Sequence, residues 1–148
     1  KAVYRTRLAM AEGGQLIILA PGVRKFGEDE QNDRLIRKYG YIGREAVIGL
    51  VERQADLQEN LSVAAHLIHG SSDGHFSITY AVAHLSQKEI EQVNYQYQPY
   101  AEAAGKYNPE KLKDGFNLMP DGEEVYFISN PALGLWSDRA RFAEDLRS

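Results

Sequence analysis

The hexapeptide Gln15-Leu-Ile-Ile-Leu-Ala20, closed by Pro21-Gly22, is the clearest secondary-structure signal in this 148-residue chain. A short, continuous aliphatic run that contains β-branched residues and ends at a turn signal is typical of a strand buried on both faces. Strands of this kind occur in parallel sheets, whose faces are covered by helices. The hexapeptide therefore predicts a central parallel strand and an α/β fold.

Helical and strand patterns alternate on both sides of the hexapeptide. Helices are predicted where apolar residues recur at helical spacing, over Val3 to Met10, Asp29 to Tyr39 and Arg44 to Gln54. Two further strands are predicted over Phe76 to Val82 and Gly122 to Ser129. Strands separated by helices imply right-handed crossovers. We therefore expect residues 1–148 to form a single α/β domain, a Rossmann-like three-layer sandwich with a mainly parallel central sheet and helices on both faces.

Capping signals refine this prediction. Asp56 and Ser86 each have a glutamate three residues on, which predicts a helix beginning at each of them. The tyrosine-rich segment Asn94 to Tyr100 is consistent with a short strand or an extended arm. Asn108-Pro109 predicts another helix start, because proline is tolerated at the first helical position. The tail from Asp138 to Ser148 has the pattern of a terminal helix.

Composition narrows the possible classes of partner. The chain is 43% apolar and 26% charged, which is ordinary for a globular protein, and its net charge is −4. This acidic balance argues against nucleic acid as a partner. No apolar run reaches the roughly 18 residues that a membrane helix needs, so no membrane partner is expected. The chain has no cysteine, which fits a cytoplasmic location and excludes disulfides and thiolate chemistry.

Three of the four histidines fall within ten residues, at the predicted junction of a helix and a strand. His66 and His69 are three residues apart, so they share one helix face with roughly 5–6 Å between their Cβ atoms. With His75 they could ligate a metal, relay protons, stabilise the end of a helix or bind a substrate. The metal interpretation is weakened because the His-Glu-x-x-His pattern is absent, and no metal-ligating residue is predicted.

The segment between these histidines favours ligand binding. Gly70-Ser-Ser-Asp-Gly74 offers the hydroxyls of Ser71 and Ser72 and a run of backbone N–H groups, which could cradle a carboxylate or a polyol. A helix end beside a strand start is where we look for a ligand site. The alternatives of a structural role and a binding role both remain open from the residues alone.

The segment from Lys1 to Ala20, with its lysine-bearing helix, Gly13-Gly14 and isoleucine-rich strand, resembles the start of the last part of nickel-pincer-dependent lactate racemases and their relatives. The resemblance extends more loosely through the loop ending at Gly27 and through the strands at Phe76 and Glu124. It implies that the chain is the C-terminal part of a longer enzyme. Members of this family interconvert stereoisomers of 2-hydroxy acids by moving a hydride to and from a nickel-bearing pyridinium-type cofactor.

The resemblance also implies a division of labour between domains. The family's catalytic histidines, metal-binding histidine and cofactor-bound lysine lie in an N-terminal domain, which would be the partner of this chain. We therefore expect no catalytic residue and no cofactor in residues 1–148, and a nickel-pincer nucleotide in the complete isomerase. Lys1 matches a lysine that contacts the substrate in the family.

The residues near the predicted Asp56 helix suggest which hydroxy acid is bound. His66 and His69 occur where the lactate-specific members have a tryptophan, and imidazoles favour a longer, hydroxylated substrate such as a sugar acid, as in a mannonate-type epimerase. The predicted substrate-binding residues are Lys1, His66, His69, Ser71, Ser72 and His75. The alternatives are a non-catalytic scaffold or interaction domain and, less well supported, a self-sufficient hydrolase or metal enzyme.

Overall fold

The computed structural model of the protein describes residues 1–140 and 143. The helices in chain order are α1 (Ala2–Thr6), α2 (Glu30–Tyr39), α3 (Arg44–Val51), α4 (Ala55–Gln58), α5 (Leu61–His69), α6 (Gln87–Gln92) and α7 (Tyr100–Lys106). The strands are β1 (Gln15–Ala20), β2 (Ser77–Val82), β3 (Gln96–Pro99), β4 (Gly115–Leu118) and β5 (Glu124–Phe127). A 3₁₀ turn follows at Pro131–Leu133.

The first three strands form a parallel sheet in the order β1-β2-β3. The α/β class and the parallel sheet are therefore confirmed. The central position predicted for Gln15–Ala20 is wrong, because β2 lies between the other two strands and β1 pairs with β2 alone among the described residues. The residues of β1 from Leu16 to Leu19 are accordingly only half-buried. A continuous apolar run thus marks a parallel strand without distinguishing the middle of the sheet from its edge.

The main core covers one face of this sheet. Alternate residues of a strand point to opposite faces, and Ile78, Tyr80 and Val82 of β2 contribute to the main apolar cluster. The helices that close the cluster supply buried side chains including Leu35, Ile36, Val63, Leu67 and Ile90. Ala81 points the other way and is fully buried, as is Ala103 of α7, a helix that contacts all three strands. The complete three-layer sandwich with helices on both faces stays a prediction.

The strand predicted over Gly122 to Ser129 exists as β5 but does not join the parallel sheet. It pairs antiparallel with β4, with Phe116 opposite Tyr126, in a separate two-stranded hairpin. The reason is the short loop of residues 119–123, because a parallel pairing needs a crossover of a dozen residues or more. The third parallel strand is instead β3, in the tyrosine-rich segment.

The capping signals had mixed outcomes. Ser86 caps α6 as predicted, with reciprocal hydrogen bonds between its side chain and backbone and those of Glu89. Asp56 does not begin the histidine helix, because it lies in the short helix α4, which ends at Gln58, and α5 begins at Leu61. The Asp56 carboxylate accepts hydrogen bonds from Lys38 (2.7 Å) and Tyr39 (2.6 Å). The helix predicted at Asn108-Pro109 is also wrong, because only a turn forms there.

The helix predicted at the start of the chain can be compared with the structure, whereas most of the helix predicted at its end cannot. The first helix ends at Thr6 rather than at Met10. The terminal helix predicted from Asp138 to Ser148 lies mostly outside the described residues. Within residues 1–140 and 143, no helix combines the length and apolarity needed to cross a bilayer.

Candidate functional site

Helix α5 presents two of the predicted histidines on its exposed side. Its buried residues Val63, Ala64 and Leu67 follow helical spacing and pack into the core. His66 and His69, three residues apart, are both exposed on the opposite side. The helical repeat therefore places the two imidazoles on one surface, as their spacing predicts.

Each imidazole meets a tyrosine from another part of the chain. The Tyr41 hydroxyl lies 2.8 Å from His66 Nε2, and the two ring centroids are 5.6 Å apart. The Tyr4 ring lies over His69 with a centroid distance of 4.6 Å. Tyr4 lies on α1, the helix for which Lys1 is the N-cap residue. Sequence analysis missed both tyrosines, although the spacing of Tyr4 from Lys1 was a usable signal.

Tyr41 belongs to a stack of three tyrosines that runs from the sheet to the surface. The Tyr41 and Tyr95 rings are nearly parallel, 3° apart, with centroids separated by 4.3 Å. Tyr95 in turn stacks on Tyr80 of β2 at 5.2 Å, and its hydroxyl donates to the Gly70 carbonyl (2.6 Å). Burial raises the pKa of all three phenols. They are therefore neutral hydrogen-bonding groups at physiological pH.

The electrostatic surroundings keep His66 neutral. Desolvation lowers the pKa of His66, although the residue is exposed. The His69 imidazole lowers this pKa further, while Glu28 raises it. We define the helix-face group as Lys1, Tyr4, Tyr41, His66 and His69, in which Lys1 is the N-cap residue of α1.

The other three predicted residues lie in the turn that precedes β2. Ser71 is only 2% exposed, and its hydroxyl donates to the Leu67 carbonyl (2.8 Å) and accepts from the Gly43 N–H (3.1 Å). This hydroxyl closes the end of α5 in the present structure. His75 lies beside Glu12, with 3.0 Å between Nδ1 and Oε1. Its role and that of Ser71 in substrate binding stay predictions.

The turn itself has a backbone conformation set by its central residues. Asp73 and Gly74 have φ values of 52° and 80°, and the His75 N–H donates to the Ser72 carbonyl (3.1 Å). Two successive positive φ angles are typical of a type I′ turn, for which Asp-Gly is a favoured pair. The Asp73 carboxylate is held by Arg7 (2.7 Å) and by the Arg44 N–H (2.7 Å). The carboxylate therefore ties the turn to α1 and α3.

Ser72 lines the cleft nearest to the predicted site. This cleft has a volume of about 360 Å³ and is lined by Tyr41, Ile42, Gly43, Ser71, Ser72, Asp73, Gly74 and Asn94. A broader depression of about 830 Å³ lies over α6, but its lining consists of four polar residues of that one helix. A site needs groups that converge from several elements. The cleft beside Tyr41 meets this condition, and the depression over α6 does not.

The turn and the cleft lie at the amino-terminal edge of the parallel sheet. Ligands of open α/β sheets usually bind outside the carboxyl ends of the strands. The opposite edge, at the carboxyl ends of the strands, carries the loop Pro21 to Asp29 after β1 and the segment His84 to Ser86 after β2. The segment Asn130 to Trp136 follows β5, so it comes after a strand of the separate hairpin and not after a strand of the parallel sheet.

The residues described by the structure offer no metal centre. Over residues 1–140 and 143, no group of three or more histidine or acidic side chains is placed to hold a metal ion. We therefore assign none of these described residues to a metal ion.

Comparison with known proteins defines the fold but not the activity. The chain matches no family model, and no curated protein is similar to it in sequence. Its structure is similar to a crystal structure of a Thermotoga maritima protein, a Northeast Structural Genomics Consortium target, with a TM-score of 0.64 and 24% identity. The similarity covers 93% of this chain and 32% of that protein. The chain thus has an α/β fold and spans about a third of the length of that protein.

Proposed function

We propose that this chain is the substrate-binding domain of a 2-hydroxy acid racemase or epimerase of the lactate racemase type, acting on a sugar acid. The observation that carries the proposal is the helix-face group, in which His66 and His69 lie on one exposed surface beside tyrosines from α1 and from the loop before α3. A second domain would supply the nickel-pincer nucleotide and the hydride transfer that it performs. The likeness to one third of a longer solved chain is compatible with such a division.

The chemistry of the group suits a polyhydroxylated acid. The Lys1 ammonium is a flexible point charge that attracts a carboxylate. A neutral imidazole has one donor and one acceptor nitrogen. Nε2 of His66 lies 2.8 Å from the Tyr41 hydroxyl, so one nitrogen of His66 is left to bind a ligand hydroxyl or carboxylate. The exposed Tyr4 ring adds an apolar surface beside the polar atoms. Lactate has too few hydroxyls to use both imidazoles, so a sugar acid is the better substrate.

NMR titration of the chain with a sugar acid tests this proposal. Gluconate should shift the ring resonances of His66 and His69, and lactate should shift them less at the same concentration. His66→Ala should weaken gluconate binding, whereas His84→Ala, which changes the exposed histidine after β2, should not. Gluconate shifts confined to His75 and His84, or none at saturating concentration, would reject the helix-face group as the site.

Activity can be measured only with both domains present. In the longer enzyme, His66→Ala should lower turnover of the sugar acid and leave the nickel content unchanged, because His66 contacts the substrate rather than the cofactor. A loss of nickel in this variant would contradict the proposed division of labour.

A second candidate function is that of an interaction domain, and the hairpin favours it. Phe116, Leu118 and Tyr126 lie on one face of β4 and β5 and are 73%, 76% and 52% exposed. Contiguous exposed apolar residues commonly mark interaction sites. Sedimentation analysis tests this role: Leu118→Ser should abolish any self-association, and Leu61→Ser, at an exposed leucine of α5, serves as the control. A wild-type chain that stays monomeric at every concentration would remove self-association as the role of this face.

A further inference from the structure

Nε2 of His66 has a fixed hydrogen-bond partner, and Nδ1 does not. The Tyr41 hydroxyl lies 2.8 Å from Nε2. Among residues 1–140 and 143, none forms a hydrogen bond with Nδ1, and His66 is an exposed residue. A ligand that approaches His66 therefore meets Nδ1.

Packing on three sides fixes the position of the Tyr41 hydroxyl. The Tyr41 backbone N–H donates to the Val93 carbonyl (3.0 Å), and the ring is stacked on Tyr95. Tyr95 is itself held by its hydrogen bond to Gly70. The Tyr41 ring passes so close to Gly70 that a side chain there would overlap it. The phenol is therefore placed by the fold and not by His66.

The phenol is the donor in this pair. Burial raises the pKa of Tyr41, so the hydroxyl carries its proton. The Gly70 carbonyl already accepts from Tyr95, and an imidazole nitrogen is a much stronger base than a phenol oxygen. The hydrogen bond thus runs from Tyr41 Oη to Nε2, and in a neutral ring the remaining proton must then lie on Nδ1.

We propose that Tyr41 is a positioning residue that fixes the tautomer of His66, so that His66 presents an Nδ1–H donor to an acceptor oxygen of the ligand. This inference rests on the proposed function for the identity of the ligand. It adds that His66 is a hydrogen-bond donor to the ligand and not an acceptor. The titratable side chains that act on His66 are His69, Glu28 and Tyr41. An N–H donor matches an acceptor oxygen of the ligand, in a carboxylate or in a hydroxyl group.

The tautomer can be measured directly by NMR. Nitrogen-15 spectra of the His66 ring at neutral pH should show Nδ1 protonated and Nε2 bare. Tyr41→Phe keeps the stacked ring and removes the hydroxyl, so the protonated nitrogen should change to Nε2 in most molecules. Unchanged Tyr95 and Tyr80 ring resonances would show that the stack is intact. A wild-type ring protonated at Nε2, or a tautomer that Tyr41→Phe does not alter, would overturn the inference.

Two substitutions of His66 probe the donor without depending on the stack. The amide nitrogen of asparagine matches the position of Nδ1, and that of glutamine matches Nε2. His66→Asn should keep gluconate affinity close to that of the wild type. His66→Gln should weaken it by roughly threefold to tenfold, the effect of one lost neutral hydrogen bond. Equal loss in both variants would contradict a donor at Nδ1.

The two proposals fail in different ways. If no hydroxy acid binds the wild-type chain but Tyr41 controls the tautomer, then the proposed function is wrong and the positioning role stands. If gluconate binds and the tautomer does not depend on Tyr41, then the positioning role is wrong and the proposed function stands.

Discussion

Replacing Gly70 by alanine isolates the effect of sterics at the tyrosine stack. Gly70 caps α5 with φ −88° and ψ −1°, a helical conformation that every residue adopts. An alanine Cβ at this position would overlap ring carbons of Tyr41 and lie 3.0 Å from the Tyr95 hydroxyl. Gly70 is therefore needed for its missing side chain and not for its backbone freedom.

The expected size of the effect comes from two opposing terms. Alanine reduces the entropy of the unfolded chain, which stabilises the protein by about 0.4–1 kcal/mol. Forcing a methyl group into a packed aromatic contact costs about 1–3 kcal/mol. We expect Gly70→Ala to lower the free energy of unfolding by about 1–2 kcal/mol, which is a fall of roughly 2–8 °C in Tm for a chain of this size. The displaced Tyr41 should also lose its hydrogen bond to His66.

Urea denaturation followed by circular dichroism measures this change, and Gly105→Ala is the matched control. Gly105 lies in α7 with no atom within 4 Å of an added Cβ, so alanine there should stabilise the protein by about 0.5–1 kcal/mol. The two variants are thus expected to change stability in opposite directions. A Gly70→Ala protein as stable as the wild type, with an unchanged His66 tautomer, would refute this account of the stack.

Three further predictions concern capping and pH. Ser86→Ala removes the N-cap of α6 and should lower the free energy of unfolding by about 1 kcal/mol, measured in urea, whereas Ser62→Ala at an exposed position should change it little. Burial disfavours the Asp33 carboxylate, but hydrogen bonds from Arg37, Phe26 and Gly27 outweigh this and lower its pKa. The resulting stability is present above pH 3.8, the ordinary value, and is lost as the pH falls through the lower folded pKa, so Asp33→Asn should flatten the loss of stability in acid. The pKa of His66 in the folded chain lies below 6.5, so the unfolded chain takes up a proton at a higher pH than the folded chain does. The free energy of unfolding, measured in urea, should therefore decline as the pH falls below 6.5. If His66→Gln shows the same decline, then another group causes it.

Local signals predicted the elements whose formation depends on neighbouring residues. The aliphatic run of β1 and the Ser86 capping box each lie within six residues or fewer, and both formed where expected. The prediction at Asp56 failed because its carboxylate binds Lys38 and Tyr39 of α2, which are distant in the chain. A carboxylate that binds side chains from a distant segment is not free to cap a helix. A pattern of neighbouring residues cannot predict such a contact.

Strand pairing was the larger error, since it depends on where distant segments meet. The pattern of β5 was read correctly as a strand. Its partner β4 was missed because it contains only two apolar residues, Phe116 and Leu118, in a strand of four. β3 joined the parallel sheet although its sequence contains two glutamines and a proline. Its one tyrosine, Tyr97, nevertheless packs against the main apolar cluster.

The same division holds at the candidate site. The sequence alone placed His66 and His69 on one face, because a spacing of three residues is set by the helical repeat. Only the tertiary structure brought Tyr41 to His66, Tyr4 to His69 and Glu12 to His75. The physical reason is that helical geometry is local, whereas contacts between α1, α5 and the loop before α3 depend on how the core packs.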